Sequence, residues 1–119
     1  METLNKHEAM PPVLPYTEAL ELVTSGIWIS TAEYWYVFAE GGRRLLSWQT
    51  LELLGWQGQV PALTSSEVRY LLGEYGENMT DDVEVGTAYE YLLYIVRRDG
   101  IHSVKQKATE LNRRRVWSK

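Results

Sequence analysis

Apolar and polar positions change period several times along this chain, and the clearest change is at residues 27 to 46, which read IWISTAEYWYVFAEGGRRLL. Short runs rich in Ile, Trp, Tyr and Val, separated by turn-forming residues, predict a small antiparallel sheet of three strands, at Ile27 to Ser30, Tyr34 to Ala39 and Arg43 to Trp48. The last two are joined by Glu40-Gly41-Gly42-Arg43, where the glycines tolerate the positive φ of a tight hairpin turn. In the middle strand Tyr34, Tyr36 and Phe38 point to one face, and Trp35, Val37 and Ala39 to the other. Neither face is polar, so the strand is expected to be covered on both sides, with Trp35, Val37 and Phe38 in the core.

On either side of this stretch the period is helical. Thr17 is placed to cap a short helix through Val23, and Gly26 stops it. Trp48, Leu51, Leu53 and Leu54 suit a second helix ended by Gly55, followed by a connecting loop at Gln57 to Pro61. Thr64 and Glu67 have capping-box spacing and precede the apolar stripe Val68, Leu71, Leu72 and Tyr75, which predicts a helix to about Glu74. Asp81 and Asp82 are placed to cap a helix that carries Ala88, Tyr89, Leu92, Leu93, Ile95 and Val96 and stops at Asp99-Gly100. Ser103 and Gln106 repeat the capping-box spacing before a last helix to about Arg115. The expected fold is α+β: a three-stranded antiparallel meander at about 27–48, an N-terminal helix, and three to four helices after it. Pro11, Pro12 and Pro15 make residues 1–15 an extended, mobile arm in this reading, and 16–119 a single domain.

Composition narrows the chemistry. The chain has 119 residues, enough for one modest core, and no cysteine, which removes disulfides, thiolate metal sites and thiol nucleophiles and fits a reducing cytoplasm. No apolar run approaches the roughly 20 residues a membrane helix needs, and the N-terminus lacks the basic start and apolar run of a signal peptide, so no membrane partner is expected. The net charge of −4 conceals an asymmetry: residues 1–96 hold four basic and fourteen acidic side chains, and residues 97–119 hold eight basic and two acidic. Such a tail can meet a polyanion, or can lie against its own acidic body.

No motif of known reaction chemistry is present, and neither an enzyme, a cofactor nor a metal site is expected. Asp81, Asp82 and Glu84 are the one dense carboxylate cluster, but acids at a helix start are what its dipole favours. A hydrolase would need those carboxylates to converge with His102, a lone turn histidine; His7 lies far off in the arm. Two binding readings remain. The first is a non-enzymatic regulatory or adaptor protein that contacts another protein, or a second copy of itself, through the aromatic hairpin: Trp28, Tyr34, Tyr36, Arg43, Arg44 and Trp48. The second is a DNA-binding regulator in which the last two helices, joined by a turn at Asp99 to His102, form a helix-turn-helix with Lys105, Lys107, Arg113, Arg114 and Arg115 toward phosphates. The stretch GIHSVKQKATELNRRRVW also resembles a helix of serine recombinases at Gly100, Ser103, Ala108, Leu111, Asn112 and Trp117, over fewer than twenty residues and without a catalytic motif.

Overall fold

Pro15 cannot donate a backbone hydrogen bond and holds φ at −60°, and the first helix begins directly after it, α1 over Tyr16–Thr24. In the computed structural model, which describes residues 12–115, the order continues with β1 (Tyr34–Ala39), β2 (Gly42–Ser47), α2 (Trp48–Leu54), β3 (Val60–Ala62), α3 (Ser65–Leu71), α4 (Glu74–Glu77), α5 (Val85–Asp99) and α6 (His102–Arg114). The class is α+β, as the period changes predict. Residues 1–11 of the proposed arm, with His7 and Pro11, and residues 116–119 with Trp117 lie outside the described residues.

The sheet is antiparallel and three-stranded, but its membership differs from the expected meander at 27–48. Its order is β2-β1-β3, so the first strand lies in the middle. Tyr34 to Ala39 pairs with Gly42 to Ser47 across the Glu40-Gly41 turn, and Tyr34 to Tyr36 pairs on its other side with Val60 to Ala62. The predicted loop at Gln57 to Pro61 therefore contains the start of the third strand, and Pro61 is tolerated there because β3 is an edge. Ile27 to Ser30 is not a strand. Its alternation is real, with Ile27 and Ile29 buried and Trp28 exposed. Its backbone, however, bonds to the turn after α1 and to α6: the Ile27 amide donates to Leu22 O, the Ile29 carbonyl accepts from the Ala32 amide, and the Trp28 carbonyl accepts from Asn112 Nδ2 at 2.9 Å.

Local end signals account for several helix limits. Ser47 caps α2 by accepting from the Thr50 amide, and Gly55, in the left-handed region at φ 72°, closes it. The Thr64–Glu67 capping box is formed in both directions at the start of α3. The helix expected to reach Glu74 instead divides at Gly73 into α3 and α4. Three expected caps are not used: Thr17, Asp82 and Ser103 give way to Pro15, Glu84 and Ile101, none of which makes a side-chain cap bond. Asp82 accepts from the Thr80 hydroxyl instead.

One core joins these elements. Leu14, Ile29, Leu63, Val68, Leu71, Leu92 and Val104 are almost fully buried within it, and α3 packs against both α5 and α6. Val13 and Leu14, assigned to the arm from sequence, belong to this core: Val13 bridges to Thr64, and the Leu14 amide donates to Leu63 O at 2.9 Å. An apolar residue flanked by prolines is better accommodated as a seated extended segment than as a solvated one.

Candidate protein-binding site

The length of β3 shapes the surface at the hairpin tip. Because β3 covers only Tyr34 to Tyr36, the remaining half of β1, Val37 to Ala39, has no strand on that side among the described residues. The Phe38 amide there donates to Gln59 Oε1 at 2.8 Å, and the Gln59 amide donates to Tyr36 O at 3.1 Å. The chain reaches this position because Gly55 reverses it after α2, with the Trp56 amide on Leu51 O. Gly58 then passes so close to the Trp35 ring that a Cβ would lie 2.3 Å from it. Val37, Phe38, Ala39, Trp56, Gln57 and Gln59 thus enclose a cleft of about 430 Å³. Phe38 is 53% exposed and Trp56 40%, and Leu53 and Leu54 at the adjoining end of α2 are exposed as well.

The six side chains expected to form the contact surface fall into different environments. Tyr36 is buried, correcting its place on that surface: its hydroxyl donates to Leu14 O at 2.6 Å, its ring meets Tyr16 edge-on, and burial raises its pKa against a smaller opposing effect of Arg43. Phe38, expected in the core, is the exposed residue of that face. The physical reason is lateral cover: Tyr36 lies between Leu45 and Val60, whereas Phe38 lies beyond the end of β3. Tyr34 and Trp48 are half-buried against the core. Trp28 is exposed with its ring edge-on to Trp35. Arg43 stacks over the Tyr16 ring at 4.3 Å, and Arg44 donates to Glu40 O. Trp56 and Gln59 were missed; the available signal was a tryptophan within a polar Gln/Gly loop.

The basic residues of the alternative surface do not share one face of α6. Arg115 Nη1 lies 2.5 Å from Glu67 Oε2, and that carboxylate is fully buried. Arg114 donates to the Tyr70 hydroxyl, which raises the arginine's pKa, and Lys107 lies over the same ring. Lys105 and Arg113 are exposed. Of the carboxylate cluster, Asp81 faces Arg69 at 3.4 Å.

A second aromatic group lies along α5, where Tyr91 and Tyr94 stack. Arg98 is held there by Asp99 and the Tyr75 hydroxyl, which raise the arginine's pKa, while the same guanidinium lowers that of Asp99. Among the described residues no group of His, Asp and Glu is arranged to hold a metal ion, and no helix is long and apolar enough to cross a membrane. No protein-family model, curated protein or solved structure matches this chain.

Proposed function

We propose that this protein is a non-enzymatic regulatory or adaptor protein that works by binding another protein at the tip of the β1–β2 hairpin, in a cytoplasmic setting that its lack of cysteine favours. One observation carries the reading: the free half of β1 borders a cleft flanked by exposed Phe38 and Trp56. An extended partner segment can take the place of the Gln59 side chain on the Phe38 amide and set an apolar side chain into the cleft, the combination by which sheet edges capture peptides. Phe and Trp supply large apolar area at small entropic cost, which suits them as anchors.

The test is affinity capture from native lysate, with and without nuclease, using the wild-type chain and the Phe38→Ala/Trp56→Ala variant, alongside sedimentation of both. Both side chains are exposed, so the variant is expected to fold. Capture of a protein, or self-association, that survives nuclease and disappears in the variant supports the reading. A partner retained equally by the variant, or a monomer that retains nothing, refutes it.

The second reading, duplex binding through α6, has the support of Lys105 and Arg113, which are exposed on that helix, and of the short turn that joins it to α5. It requires capture that nuclease abolishes and that Lys105→Glu/Arg113→Glu removes.

A further inference from the structure

The surface between α1 and α5 holds a cleft of about 350 Å³ unrelated to the hairpin tip. Leu22 and Ile27 from the α1 side, and Leu92, Leu93, Val96 and Ile101 from the α5 side, supply its apolar lining. Its size falls within the range of small-molecule sites, which combine an apolar lining with a few placed polar groups. Here those groups share a sign. The Tyr89 hydroxyl is committed as a donor to Glu21 Oε1 at 2.6 Å, and the hydroxyls of Thr24 and Ser25 are committed to Leu20 O and Glu21 O. The cleft thus presents the carboxylate of Glu21; the negative C-terminal end of α1 beside it is already approached by Lys105, whose Nζ lies against Gly26. Charge near the Tyr89 hydroxyl is carboxylate as well, from Glu21 and Glu18, and together with burial it raises the tyrosine's pKa.

From the apolar lining and the Glu21 carboxylate at its edge we infer that this cleft binds a small apolar molecule with a single cationic head, of the alkylammonium or alkylguanidinium class. The alkyl body displaces water from Leu93 and Val96, and the head donates to the Glu21 carboxylate oxygen that Tyr89 leaves unused. An anionic head meets Glu21 with like charge and is rejected. A neutral head gains only the apolar contact.

The probe is hexylammonium, compared with hexanol and hexanoate on the full chain by methyl-resolved NMR titration. The expected result is saturable shifts of the Leu22, Ile27, Leu92, Leu93, Val96 and Ile101 methyls with hexylammonium, weaker shifts with hexanol and none with hexanoate. Glu21→Gln keeps an acceptor for the Tyr89 hydroxyl and removes the charge. It should weaken hexylammonium about fivefold, the worth of one partly solvated ion pair, and leave hexanol unchanged. Equal binding of all three probes, hexylammonium binding unaffected by Glu21→Gln, or no shift of these methyls at millimolar probe would each overturn the assignment. None of these results bears on capture at Phe38 and Trp56.

Discussion

Replacing Arg115 by Ala is expected to be among the costliest single changes outside the apolar core. The Glu67 side chain has no exposed surface, and three donors hold its carboxylate: the Thr64 amide at 2.8 Å on Oε1, the Glu33 amide at 3.0 Å and Arg115 Nη1 at 2.5 Å on Oε2. Removing one member of a buried pair leaves the other charge unpaired and costs about 3–5 kcal/mol. Arg115 is 22% exposed and both amides stay on the carboxylate, so water partly replaces the guanidinium and the lower end, about 3 kcal/mol, is expected. In urea with a slope of about 1.5 kcal/mol/M, that loss moves the unfolding midpoint by about 2 M, which tryptophan fluorescence will resolve. Arg115→Lys keeps the charge but on a shorter, non-planar head that does not place a donor where Nη1 serves both Glu67 and Thr31 O, so its loss should be intermediate, about 1–2 kcal/mol. A loss below about 1 kcal/mol for Arg115→Ala, or equal losses for Ala and Lys, would show that the guanidinium is not what compensates the buried carboxylate.

Gly58→Ala places a methyl group 2.3 Å from the Trp35 ring, an overpacking worth about 1–3 kcal/mol, and should lower the thermal midpoint without changing the exposed aromatic surface. Alkaline stability depends on Tyr36 and Tyr89, whose pKa values are both raised, chiefly by burial. Above about pH 10 the unfolded chain releases these two protons and the folded chain retains them, so stability falls with rising pH by about 1.4 kcal/mol per unit for each tyrosine. Tyr89→Phe should reduce that slope in pH-dependent urea melts, and an unchanged slope would remove Tyr89 from the account.

Elements set by neighbouring residues were legible in the sequence, and those set by distant partners were not. The Glu40 to Arg43 hairpin, the arrest of α2 at Gly55 and the Thr64–Glu67 box each need only residues within a few positions. Ile27 to Ser30 alternates like a strand, but its backbone is taken up by bonds to Leu22 O and the Ala32 amide and by the side chain of Asn112, more than eighty residues away. Conversely, three residues with a central proline gave Val60–Ala62 no strand signal, and pairing with β1 supplied it. The exchange of Tyr36 and Phe38 between surface and core follows from that omission, because which of them is covered depends on where β3 stops. Of the candidate site, the aromatic hairpin was legible, whereas its partner wall of Trp56 and Gln59 required the return of the chain after Gly55.

The opposite charges of body and tail take on a different meaning once the basic side chains have positions. Arg115 is bound to Glu67, Arg114 and Lys107 lie on Tyr70, and Arg98 is held by Asp99 and Tyr75. Each of these contacts fastens α5 or α6 or serves its own surface, so four of the eight basic side chains that suggested a polyanion partner are engaged within the molecule. Among the described residues, Arg97 on α5 and Lys105 and Arg113 on α6 remain exposed, the last two eight positions and about 80° apart around the helix. If all three neutralised phosphates, log K would fall with log salt at a slope of only about −3, whereas six to ten such contacts are common for binding through the backbone of DNA. The fourteen acidic side chains of residues 1–96 oppose even that small term. An exposed Phe38–Trp56 cleft beside a strand half that β3 does not reach carries no such electrostatic opposition, which favours the protein-binding reading.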